Sequence, residues 1–269
     1  PRPMRASTLF DRASVTKVMA TTFAVMLLVD RGQLELDAPI GRYLPELRDP
    51  PHDAITVRHL LNHSSGLYRW QPIYYHARNA AEALAHIRAL PLEFEVGAGR
   101  HYSDLGFMFL GYIVERVGGR PLDEFIREEL YEPLGLRATT FNPRERGFQD
   151  FAATSHGNPY ERQMVHDTAF GYDYAGDPTA WDGWRGHTLV GEVNDGNAYY
   201  AHGGVAGHAG LFSTAADLRV LLDLLLRRGE YGGRRYLREE TVDAFLRRDR
   251  YGHGLGWMLP RELPEGSFA

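Results

Sequence analysis

The stretch from Ser14 to Arg31 constrains this chain more than any other. It opens on a residue able to cap a helix, is apolar on nearly every face, and stops at Gly32, a residue type common just past a helix end. A helix that is apolar all round either spans a membrane or forms the centre of a core. Its apolar part, Val18 to Val29 with threonines inside it, is shorter than the roughly 20 residues a bilayer crossing needs. The pattern therefore predicts a buried central helix.

With 269 residues, 43% of them hydrophobic, the chain has the material for one large domain or two small ones. A net charge of -5, with acids and bases mixed throughout, offers no basic stripe for nucleic acid and no polybasic patch for anionic lipid. Small molecules are the expected partners, and oligomeric state is not encoded in any pattern. The absence of cysteine excludes disulfides, a thiol nucleophile and a cysteine-based metal site. No signal segment is visible, but the first residue is Pro1, so both a cytoplasmic and a periplasmic or secreted location stay open.

Periodicity and breakers predict further helices over Thr56–Asn62, Ala80–Leu90, Leu105–Val117, Leu122–Tyr131 and Ala215–Arg228, the last with Asp217 placed to help its cap. Gly254–Leu259 alternates as a strand would, and strands are expected near the chain ends. The pattern fails over 164–184, which reads as a long loop. Its Tyr172, Tyr174, Trp181 and Trp184 would either line a substrate cleft or belong to a mobile insertion.

The basic residues are arginine with one exception, Lys17. Three residues from Ser14 on a helix, its amine can reach the serine hydroxyl. Ser14 could simply cap the helix. Against that, a capping box wants Glu or Gln three residues on, and the helix dipole disfavours a cation in the first turn. Arginine cannot give up its proton in a protein, whereas burial and the dipole are expected to lower the lysine pKa and make a neutral amine accessible. The pair reads as a nucleophile and its proton-handling partner.

Ser14-Val15-Thr16-Lys17 is the Ser-x-x-Lys motif of the penicillin-recognising serine hydrolases, and the segment from Thr8 to Lys17 resembles the nucleophile segment of their class C β-lactamase-like branch. His59 to Leu67 resembles that branch's LLxHTSGL signature, and Tyr102-Ser103-Asp104 takes the place of its Tyr-x-Asn motif. Pro133 to Leu136 and Ala209 to Thr214 match two structural landmarks, all in family order. The resemblance implies an α+β fold of the β-lactamase/transpeptidase type, an antiparallel sheet flanked by helices beside a mainly helical subdomain. Residues 1–55 and 190–269 would belong to the sheet-containing part, and 56–189 to the helical part.

It also implies a serine hydrolase that works through an acyl-enzyme on an ester, a β-lactam or a D-amino-acid peptide, with no cofactor. Ser14, Lys17 and Tyr102 are then catalytic, Tyr102 relaying protons, and a peptidoglycan-like ligand is a candidate partner. Asp104 stands where the family has asparagine and is the substrate-binding candidate. It can accept from Lys17 but cannot donate to a substrate carbonyl as an amide can.

The family's third motif, Lys-Thr-Gly or His-Thr-Gly, is not found after Ala209–Thr214; Gly186-His187-Thr188 precedes that landmark. Arg2-Pro3-Met4 resembles the segment just before the nucleophile, and Gly266 to Ala269 falls where the turn into the third motif would be. The chain thus reads as cut at both ends, its sheet incomplete and its activity alone weak or absent.

The alternatives are a catalytically impaired penicillin-binding-like sensor and a metal-dependent hydrolase. For the latter, His202 and His208 flank a glycine-rich stretch, yet no tight ligand pattern appears, and no metal is assigned. His63 is expected to be a buried residue holding the turn at Ser64–Gly66. Gly203 to Gly207 is expected to be a flexible turn.

Overall fold

The computed structural model describes residues 3–172 and 174–259. Arg2 and Gly266–Ala269, invoked above for the chain ends, lie outside the described residues. The apolar stretch is helical as expected: a π-helical segment over Lys17–Thr22 continues into α1 (Phe23–Asp30). The wider first turns are closed by a side chain, because the Thr22 hydroxyl donates to the Lys17 carbonyl at 2.8 Å. Phe23, Ala24, Val25, Met26 and Leu28 are fully buried, which places this helix at the centre of the core.

Around it lie α2 (Val57–Leu61), α3 (Ala80–Ala89), α4 (Asp104–Gly118) and α5 (Leu122–Ile126), the last running into a second π-helical segment at Arg127–Tyr131. Local chemistry sets their starts. Thr56 accepts from the His59 N–H at 3.3 Å while the His59 ring accepts from the Thr56 N–H at 3.2 Å, a reciprocal cap built with histidine in place of glutamate. Asn79 caps α3 and Ser103 caps α4. The Tyr131 hydroxyl, fully buried, donates to the Met19 carbonyl at 2.8 Å and ties the second π segment to the first.

Three further helices are α6 (Pro159–His166), α7 (Ala215–Leu226) and α8 (Glu239–Leu246). The sequence pattern pointed only to α7. There Thr214 is the cap, accepting from the Asp217 N–H at 3.3 Å, while the Asp217 carboxylate turns away to accept from the Ala138 N–H at 2.9 Å. The expected loop over 164–184 begins inside α6, whose first-turn proline suits a helix start, and contains a short 3₁₀ turn at Thr168–Phe170.

Among the described residues there are six short strands: β1 (Phe10–Asp11), β2 (Ala153–His156), β3 (Thr188–Val190), β4 (Phe212–Ser213), β5 (Glu230–Tyr231) and β6 (Arg234–Arg235). They pair antiparallel as β1 with β4, β2 with β3 and β5 with β6. The fold is α+β and antiparallel, as expected. Strands are not confined to the ends, since β2 and β3 lie in mid-chain.

Gly254–Leu259 is no strand in the structure. It is an irregular segment in which the Leu255 N–H donates to the Phe245 carbonyl at 2.8 Å and the Gly256 N–H to the Leu61 carbonyl at 2.9 Å. The alternation there reflects Leu255 buried in the core and Trp257 set edge-on to Phe23, with ring centroids 5.8 Å apart. Among the described residues no helix is long and apolar enough to cross a membrane.

Candidate active site

Ser14 stands exposed at the entrance to the central helix. The turn that presents it is tight. Ala13 has a φ of 43°, unusual for a residue with a Cβ, and its N–H donates to the Asp11 carboxylate at 2.8 Å.

One turn on, Lys17 is 2% exposed, and its ammonium has three oxygen atoms close by. It reaches Ser14 Oγ at 2.9 Å, the His208 carbonyl at 3.2 Å and Asp104 Oδ1 at 2.6 Å. The Tyr102 ring centroid lies 4.8 Å from Nζ and that of Phe107 5.9 Å. Ser14, Lys17, Tyr102 and Asp104 are thus brought into one cluster from two segments, the helix start and the cap of α4. Ser14 is not the plain helix cap that a serine there could have been: its Oγ is engaged by the lysine.

The expected low lysine pKa is corrected by this geometry. Burial is the largest single influence and does push it down, but the Asp104 carboxylate and Tyr102 together outweigh burial and hold the amine above its ordinary value. Asp104 in place of asparagine is the physical reason. It is 17% exposed and serves first as the counter-ion of Lys17.

Tyr102, 39% exposed, lies on the ring of His63 with centroids 4.5 Å apart. His63 is buried and has a φ of 62°. Its Nδ1 accepts from the Ser103 N–H at 3.0 Å. Burial, assisted by Lys17, lowers its pKa to about 3, which keeps it neutral and an acceptor. It therefore does more than hold the 64–66 turn, because it links that signature to the Tyr102 segment. Gly66, with a φ of 81°, is needed where a Cβ would come within 2.2 Å of the Phe94 carbonyl oxygen.

Ser14, Tyr102 and Asp104 share a cleft of about 630 Å³ with Arg69, Arg100 and Asp195. Of the aromatic residues in the 164–184 segment, Tyr172 lines this cleft. Trp181 and Trp184 instead pack on Tyr74, at 4.8 and 5.9 Å between centroids, and Tyr174 on Tyr75 at 5.3 Å. On the far side of Ser14 a second cavity of about 320 Å³ is lined by Val18, Leu61, His63 and Trp257.

Two residues were not read from the sequence as part of this site. His208 is buried and its Nε2 meets Asp195 Oδ1 at 2.8 Å. Asp195 had no pattern to mark it. His208 was visible only as one of two histidines flanking the glycine-rich stretch, and those glycines are a packing device: a Cβ on Gly207 would come within 2.0 Å of the Phe107 carbonyl oxygen on α4. Asp104, Asp195 and His208 present ligand atoms all within 4.8 Å of one another, a spacing a metal ion could use. The cation they face here is the Lys17 ammonium.

An exposed serine held by a buried lysine, with a tyrosine and a carboxylate beside them on an α+β frame, is a site suited to acyl transfer. The chain belongs to the Beta-lactamase family, whose model matches residues 1–264, and members similar to it are hydrolases. It is 36% identical over 277 residues to a provisionally assigned D-alanyl-D-alanine carboxypeptidase of Escherichia coli, covering 96% of this chain and 61% of that protein. To an N-acetylmuramyl-L-alanine amidase of Bacillus subtilis it is 36% identical over 261 residues, covering 91% of this chain and 56% of that one. The chain therefore spans about three-fifths of the length of these relatives. Its fold matches a penicillin binding protein from Bacillus halodurans with a TM-score of 0.67 at 21% identity, over 94% of this chain and 71% of the other.

Proposed function

We propose that the chain carries the nucleophile half of a serine acyl-transfer hydrolase that cleaves an amide bond in a peptidoglycan stem peptide. The observation that carries the serine mechanism is the 2.9 Å contact between Lys17 Nζ and Ser14 Oγ in a cleft open to substrate. The choice of an amide over an ester or a β-lactam is supported by the names of the two relatives, a D-alanyl-D-alanine carboxypeptidase and an N-acetylmuramyl-L-alanine amidase.

Because Lys17 is held as an ammonium, it acts as a relay. Ser14 Oγ bonds to the carbonyl carbon as its proton passes to Nζ, and Nζ hands one of its own to Asp104. The oxyanion formed is met by the Ser14 N–H. Its collapse breaks the C–N bond, and the amine leaves with a proton returned from Asp104 through Lys17 and Tyr102. Water then attacks the ester, and the same groups carry its proton back to Ser14.

Mass spectrometry after incubation with a fluorophosphonate, with a D-Ala-D-Ala-terminated peptide and with a muramyl-L-alanine amide tests the reading. An adduct on Ser14 that is lost in Ser14→Ala supports it, and the amide that acylates identifies the bond. Hydrolysis that survives in Ser14→Ala but stops with a chelator would end the case.

A further inference from the structure

Three residues on one face of the nucleophile helix grip the same backbone stretch. Thr21 Oγ1 donates to the Gly207 carbonyl at 2.6 Å, Lys17 Nζ to the His208 carbonyl at 3.2 Å, and Thr16 Oγ1 accepts from the Leu211 N–H at 3.1 Å. The middle contact alone involves a reactive group. The side chain of the residue that supplies it is itself held, by Asp195 at 2.8 Å. Asp195 Oδ1 also accepts from the Ala198 N–H at 2.8 Å, which anchors it to the turn that opens the π-helical segment Asn197–Ala201.

Stability does not explain this arrangement. A His-Asp pair withdrawn from water recovers little more than its desolvation cost, and His208 Nδ1 is buried with no hydrogen-bond partner, which costs further. Helix capping accounts for the Ala198 contact but not for the imidazole. What the imidazole does is fix the peptide whose carbonyl takes one of the three Lys17 donors.

We propose that Asp195, acting through the His208 ring, is a positioning residue for Lys17. It sets the His208 carbonyl so that the remaining two ammonium N–H bonds point at Ser14 Oγ and Asp104. This rests on the proton-relay reading of Ser14 and Lys17. The charged and titratable groups around Asp195 are His208, Lys17, Glu161, Asp11, Asp104, His202 and Tyr74. The Glu161 carboxyl is driven toward its protonated form by burial and by the Asp195 charge, and accepts from the Gly196 N–H at 2.6 Å.

The single lysine makes the test direct, because protein grown on ¹³Cε-labelled lysine gives one lysine resonance, that of Lys17. In the unaltered protein this signal is expected to be single and narrow. In Asp195→Ala it should shift and broaden, and the rate of fluorophosphonate labelling at Ser14 should fall on the order of 10²-fold, the scale of a small misplacement of a reacting group.

Asp195→Asn keeps an oxygen for both donors and should restore the narrow signal and most of the rate. An Asn variant as impaired as Ala means that charge, not position, matters, and overturns the proposal. So does an Ala variant with an unmoved resonance and an unchanged rate. If Asp195→Ala does not fold, Asp195→Ser carries the same comparison. Failure of the unaltered protein to label at Ser14 would instead overturn the proposed function, while the lysine signal still reports on Asp195.

Discussion

Two ion pairs in this molecule put opposite charges equally close, and they do different work. Arg58 and Asp37 meet through two bonds of 2.6 and 2.8 Å, with side chains 39% and 75% exposed. Lys17 and Asp104 meet at 2.6 Å with the lysine 2% exposed. The first pair lies in water, where ion and solvent compete and the net gain is small. In the second the lysine is closed off, with aromatic rings on one side and a peptide carbonyl on another, so the carboxylate helps to hold the amine above its ordinary pKa. Distance alone does not distinguish a functional pair from a surface one. Burial and the number of convergent partners do.

The largest expected effect comes from replacing the buried cation with the type used everywhere else. Lys17→Arg keeps a charge but cannot accept the serine proton, and fluorophosphonate labelling of Ser14 should fall by about 10³-fold. Labelling at an undiminished rate would break the comparison, since the pair would then be no different from Arg58 and Asp37.

Next comes the neutral histidine against which Tyr102 packs. His63 has a pKa of about 3 in the fold against an ordinary 6.5, so between those values the unfolded chain binds a proton that the folded one does not. Stability should therefore decline as pH falls through that window, with His63 contributing about 1.4 kcal/mol per pH unit. His86 and His202, both lowered to about 4 chiefly by burial, add to the same slope. Urea midpoints at several pH values, compared between the unaltered protein and His63→Asn, would show the difference in slope, and equal slopes would contradict it.

Asp104→Asn removes the counter-ion while leaving burial in place. The Lys17 resonance should then titrate at a lower pH, because burial is left with less to oppose it. An unmoved titration would show that Tyr102 alone sets the amine. The smallest effect belongs to the surface pair: Arg58→Ala should cost less than about 1 kcal/mol in thermal unfolding and leave Ser14 labelling untouched. A larger loss would mean that the exposed pair also matters to the fold.

What was legible in the sequence follows from how local each signal is. Ser14 and Lys17 are one turn apart, so residue type and spacing pointed to that pair, while Tyr102 and Asp104, which flank one helix cap, were named only through the family resemblance. Long apolar helices announced themselves through period and breakers. Strands of two residues carry no alternation to read, and Leu255 and Trp257 alternate for reasons of packing alone. Asp195 and His208 could not be seen because their meaning lies in contacts with a helix near the other end of the chain. The direction of the lysine pKa was missed for the same reason: dipole and burial could be read near Lys17, while the carboxylate and tyrosine that together outweigh burial come from another segment.

The seam between the nucleophile helix and the 207–211 stretch joins residues 186, 191 and 195 positions apart. Contacts of such long sequence separation close late, since the chain entropy of the intervening loop must be lost first. A nascent chain released as far as the aromatic segment would hold Ser14 and Lys17 on a helix without the carbonyl that orients the amine. Reactivity should therefore appear together with the slowest refolding phase, readable by pulsing a fluorophosphonate during refolding, and labelling that precedes this phase would contradict it. Chemical silence until the fold is complete is a useful property in a nucleophile that stands in the open.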